Sequence, residues 1–138
     1  MVDIDLLIDK TMETAMDRAI YFLDTEKSFR PFCFLIQKDT CLSLLMPNDT
    51  EFSFDESLMV DYFKDFAMQK LDENTAEGFC VVSITTTLIR GEETPAILML
   101  FKFRNDTLPL GTRVYYFPYS FQNGKPFVDF HSVFASEG

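Results

Sequence analysis

Apolar and polar positions alternate along this chain with two different periods, and the periods divide it into eight segments. From Asp3 to about Leu23, the residues Ile4, Ile8, Met12, Ala15/Met16, Ala19/Ile20 and Leu23 recur at spacings of three and four, which predicts an amphipathic helix. Asp3, Asp5 and Asp9 stand in or near its first turns, where the helix dipole favours anions, and Glu13, Asp17 and Arg18 belong to its wet side. Phe32–Lys38 and Cys41–Met46 are short apolar runs around Asp39-Thr40, the pattern of a hairpin. Pro31 holds Arg30 extended before them, and Pro47-Asn-Asp-Thr50 closes the unit. Both faces of the first run are largely apolar, so the hairpin is well covered. A second helix is predicted from about Phe54 to Leu71, opened by the capping box Ser53-Phe-Asp-Glu56. Its stripe is Leu58, Met59, Tyr62, Phe63, Phe66, Ala67 and Leu71, and Asp61, Asp65 and Asp72 form an acidic back.

From Gly78 onward the period is two. Four strands are predicted, Gly78–Arg90, Ala96–Arg104, Thr112–Phe121 and Phe127–Ala135. The turns between them are Gly91–Pro95, Asn105–Gly111 and Gln122–Pro126, and such short loops favour an antiparallel meander. Parity puts Ile97, Met99, Phe101 and Phe103 on one face, with Leu98, Leu100, Lys102 and Arg104 on the other. Arg113, Tyr115, Phe117, Tyr119 and Phe121 oppose Thr112, Val114, Tyr116 and Ser120. Pro118 has no N–H and suits an edge or a bulge. The expected architecture is one α+β domain over residues 1–138, in the order α-β-β-α-β-β-β-β. A hairpin and a four-strand meander share one antiparallel sheet, with both helices packed on one face.

Helices about 10 Å wide would nearly fill one face of a six-strand sheet with strands about 4.8 Å apart. The other face would then present Leu98 and Leu100 beside Lys102 and Arg104, with either the Tyr115 ring set or Tyr116, and would invite a homodimer.

Composition adjusts this picture. The chain has 138 residues, 47% of them apolar and 16 of them Phe, enough for a core and too apolar for disorder. No run approaches the length of a membrane span, and the acids at Met1–Asp5 are unlike a targeting peptide, so a cytoplasmic, membrane-free protein is expected. The net charge of −10 lies entirely in residues 1–77, with 17 acids against 7 bases; residues 78–138 hold 5 of each. Such a field repels nucleic acid and suits a basic protein partner.

Candidate chemistry is sparse. Cys33, Cys41 and Cys80 are an odd number without a C-x-x-C and with a single histidine, His131, so neither zinc nor a disulfide framework is expected. Asp61 and Asp65 are four apart, the spacing that sets two carboxylates side by side, but no third metal ligand accompanies them. His131 and a cysteine could pair as base and nucleophile, but nothing in the sequence brings them together, and no phosphate-binding or hydrolase motif occurs. No catalytic residue, cofactor or metal is predicted. The aromatic strand Arg113–Phe121 would be either a core strand or a partner surface.

Pro31-Phe-Cys-Phe, then a hairpin, then Phe101-Lys-Phe-Arg104 and Phe117-Pro-Tyr119, resembles a pattern in small uncharacterised bacterial α+β proteins. Those carry a Pro-Phe before the first strand, a Glu-His-Arg triplet in a middle strand and a Phe-Pro-Tyr in the next. Here only the Arg of the triplet is kept. The resemblance implies a fold and no activity. The expected function is a non-enzymatic protein-interaction domain, of accessory or inhibitor type, whose acidic helices carry Asp61 and Asp65. The alternative is a small-molecule site between Tyr115–Tyr119 and the helices.

Overall fold

A computed structural model describes residues 4–37, 42–45, 56–73, 76–103, 112–129 and 134–136. The chain runs α1 (Ile4–Glu26), β1 (Phe32–Gln37), β2 (Leu42–Leu45), α2 (Glu56–Asp72), β3 (Ala76–Ile89), β4 (Glu92–Phe103), β5 (Thr112–Gln122), β6 (Lys125–Val128) and β7 (Phe134–Ser136). The sheet is antiparallel at every pairing, in the order β2-β1-β3-β4-β5-β6, and β7 also pairs with β5. The fold is therefore α+β, as the periodicity predicts. The last predicted strand is two strands: β6 pairs with Tyr119–Gln122 and β7 with Val114–Tyr116. The Ser53 capping box, Cys41, Arg104 and His131 lie outside the described residues.

One expectation is overturned. The helices do not share a face. Cross-strand register aligns Phe34, Cys80, Phe101 and Arg113 on one side of the sheet. The apolar stripe of α1, with Leu7, Ile8, Ala15, Met16, Ala19 and Leu23, packs on that side against Phe32, Phe34, Ile36, Val82, Ile97, Met99 and Phe101. The stripe of α2, with Phe63, Ala67 and Leu71, packs on the opposite side against Cys33, Leu35, Phe79 and Val81. The physical reason is visible in β1, where Phe32-Cys-Phe-Leu-Ile36 is buried at five successive positions. A strand apolar on both faces needs cover on both. At about 1.5–3 kcal/mol for each large side chain buried, either helix is held by its stripe rather than by intrinsic propensity. We call the α1 side face A and the α2 side face B.

The chain reaches this arrangement because β2 and β3 run parallel to each other with β1 between them, and such a connection must cross over the sheet. α2 is that crossover. On face A, α1 is fixed at both ends. Arg113 reaches Asp5 (3.4 Å), and Lys125 reaches Asp24 (3.2 Å). Lys27, at φ 64 just beyond the helix, donates to the Gly124 carbonyl (2.6 Å) and lies over the Phe121 ring (5.6 Å).

Candidate functional site

β3–β4 and β5–β6 are both hairpins closed by two residues. Arg90-Gly91 and Asn123-Gly124 have positive φ throughout (52°, 82°, 55° and 79°), the turn whose twist matches that of the strands. Glu92–Pro95, expected as turn, is therefore strand. A two-residue turn also fixes which residues bond across each hairpin. Glu92, Thr94 and Ala96 face β3, so Glu93 and Pro95 face β5. Asp129 N–H donates to the Pro118 carbonyl (2.8 Å), so Pro118, Ser120 and Gln122 face β6, while Tyr119 and Phe121 face β4.

The β4–β5 ladder runs from Lys102/Thr112 to Ala96/Pro118 and stops. The next facing pair would be Pro95 with Tyr119. Pro95 has no N–H to give, so the pair loses a bond at its first step. Beyond it the hairpins diverge as two arms of a fork. A cavity of about 600 Å³ opens between them, lined by Arg90, Glu92 and Thr94 from one arm and Pro118–Ser120, Gln122, Phe127 and Asp129 from the other. The even-numbered lining residues of β4 and β5 place it on face B, beside the area that α2 covers. Phe127, at its rim, is 52% exposed. The β5–β6 arm is tied to α1 through Lys125 and Lys27. On the β3–β4 arm Leu88 is 69% exposed.

The residues singled out from sequence fall in several places. Leu98, Leu100 and Lys102 are half-buried on face B, with Leu100 packed against the α2 cluster. Tyr115 is not with them. It lies on face A, edge-on to Phe101 at 5.7 Å, and Tyr116 is the ring that shares face B with Leu98. Asp61 and Asp65 are exposed on α2. The acidic surface is therefore two surfaces on opposite sides of the sheet. On α1 the exposed Asp5, Asp9, Glu13 and Asp17 follow one another at four-residue spacing, a single carboxylate stripe. The four-residue recurrence is legible in the sequence itself.

The small-molecule alternative placed its pocket between Tyr115–Tyr119 and the helices. The cavity touches Pro118 and Tyr119, but hairpin arms form its walls, and no helix residue lines it among the described residues. Burial raises the Tyr119 phenol above its ordinary range, which keeps it neutral and a hydrogen-bond donor. Among the described residues no group of three or more His, Cys, Asp and Glu could hold a metal ion, and no helix is long and apolar enough to cross a membrane. The chain matches no family model, no curated protein and no solved structure.

Proposed function

We propose that this protein is a non-catalytic domain that binds another, basic protein through its acidic helical surface. The observation that supports the reading best is the α1 stripe of Asp5, Asp9, Glu13 and Asp17. Like charges four apart on a helix cost about 0.2–0.5 kcal/mol per pair, and a cationic partner would relieve that repulsion. Asp61 and Asp65 on α2 offer a second, smaller acidic surface on the other side.

The test is affinity capture from the native host, repeated with Asp9→Lys/Glu13→Lys and with Asp61→Lys/Asp65→Lys. A partner bound through α1 is lost with the first pair and kept with the second. It also weakens between about 0.05 M and 0.3 M salt, because the Debye length near 0.15 M is only about 8 Å. A partner indifferent to both reversals and to salt overturns the reading. The cavity touching Tyr119 favours the small-molecule alternative; saturable binding of a metabolite there, without any protein partner, would establish it instead.

A further inference from the structure

We propose that the fork between the β3–β4 and β5–β6 arms receives an extended, basic polypeptide segment by strand addition. The incoming backbone pairs with the edge of β5 at Tyr119 and Phe121. This rests on the protein-binding reading above and names the form of the bound segment.

The backbone geometry sets the occupant. Tyr119 and Phe121 each turn an N–H and a C=O toward the fork, as does Glu93 from the other arm; Pro95 offers a C=O alone. Among the described residues no strand pairs with these edges beyond Ala96/Pro118. Groups that face the same way recur every two residues, about 7 Å apart. A small rigid ligand does not reproduce that repeat, whereas an extended chain does so with every second residue. The open stretch Tyr119–Gln122 is about 13 Å long, so it accommodates about four residues. The cavity supplies room for their side chains, with Pro118 as the floor and the half-exposed Phe127 ring as an apolar contact at the rim.

Charge selects among peptides. Of the charged residues that line the cavity, Glu92 stands on one arm and Asp129 on the other, against Arg90, while Lys125 of the β5–β6 arm is turned to Asp24 of α1. The same balance disfavours a nucleic acid strand. The arm that offers the better edge is also the arm anchored to α1, through Asp24–Lys125 and Lys27–Gly124. That edge is fixed before any segment arrives, which lowers the ordering cost of binding.

The experiment titrates the full ¹⁵N-labelled chain with the capped peptide acetyl-Lys-Val-Lys-Val-Lys-Val-amide. Saturable shifts are expected at the amides of Glu93, Tyr119 and Phe121. A peptide N-methylated at alternate residues, and one with Glu for Lys, should each bind at least about tenfold more weakly. Phe121→Pro removes a donor that faces the fork and leaves the Ser120 and Gln122 bonds to β6 intact, so it should also cost about tenfold. Phe121→Ala keeps that donor and should stay within about threefold. If Phe121→Pro fails to fold, the N-methylated peptide decides. No saturable shift at roughly 1 mM peptide overturns the proposal, as does equal affinity of the N-methylated peptide. So does a response confined to the acidic faces of α1 and α2, although that outcome leaves the protein-binding reading standing.

Discussion

Cys33 and Cys80 stand one step apart across β1 and β3, yet on opposite faces of the sheet, because Cys33 pairs with Val81 and Cys80 with Phe34. Both are free and buried. Desolvation pushes the Cys33 thiol up to about 12 and the Cys80 thiol well above its ordinary value of 9.0. The folded thiols thus stay protonated where the unfolded ones ionise. Their contribution is complete below about pH 9 and is lost as the pH rises toward 12, at about 1.4 kcal/mol per pH unit for each thiol. Urea unfolding between about pH 8 and pH 10.5 should show this decline, and Cys33→Ala/Cys80→Ala should flatten it despite a lower starting stability. An unchanged slope in the double variant would place the alkaline loss elsewhere. The burial of these thiols was legible in the sequence, from their apolar runs. Their separation to opposite faces was not, because it depends on the register of β1 against β3.

At the scale of elements, the sequence carried types well and terminations poorly. The three-and-four spacing marked both helices, and alternation marked each long strand, because burial imposes those periods directly. At both hairpin tips composition overstates the length of the turn. Gly91–Pro95 looks like a turn when composition is weighed, yet Arg90-Gly91 alone makes the turn, and Glu92–Pro95 bonds to β3 as strand. A proline disrupts only the ladder its nitrogen faces, and facing is a property of register rather than composition. The fork was hidden for that reason, since Pro95 reads as a loop residue until β3 pairs with it at Thr86. Replacing it restores a donor. Pro95→Thr should let β4 and β5 pair for one or two further bonds, stabilising the fold by about 0.5–1.5 kcal/mol for each net bond. Hydrogen exchange at Tyr119 and Phe121 should slow accordingly, and peptide affinity at the fork should fall. Unchanged exchange at both amides would mean that arm twist, rather than the missing donor, keeps the strands apart.

For the molecule as a whole, opposite-face helices change the argument for self-association. The bare face expected from the sequence does not exist, since α2 covers β1 and β3 on face B and takes Leu100 into its cluster. A dimer through the sheet would have to use what α2 leaves, around Leu98, Lys102 and Tyr116, all of them half-buried. Sedimentation equilibrium at high micromolar concentration separates the cases. If that remainder joins two copies, the species has about twice the 16.0 kDa of the chain and dissociates on Leu98→Glu. A 16.0 kDa species at those concentrations ends the dimer proposal.

The two ends of α1 are held by residues far along the chain: Asp5 by Arg113 and Asp24 by Lys125, at separations of 108 and 101 residues. Its apolar stripe is likewise completed only by Phe117, Tyr119 and Val128. On a ribosome, α1 and β1 emerge long before β4, β5 and β6, which supply the rest of the cover of α1. For most of synthesis the apolar side of α1 can meet only part of its native cover, Phe32, Phe34 and Ile36 of β1 and then Cys80 and Val82 of β3. Contacts of such long range make folding slow, and a partly uncovered stripe is what chaperones recognise. The carboxylates along the opposite side of α1 then have a second consequence, because they keep neighbouring nascent chains apart through that interval.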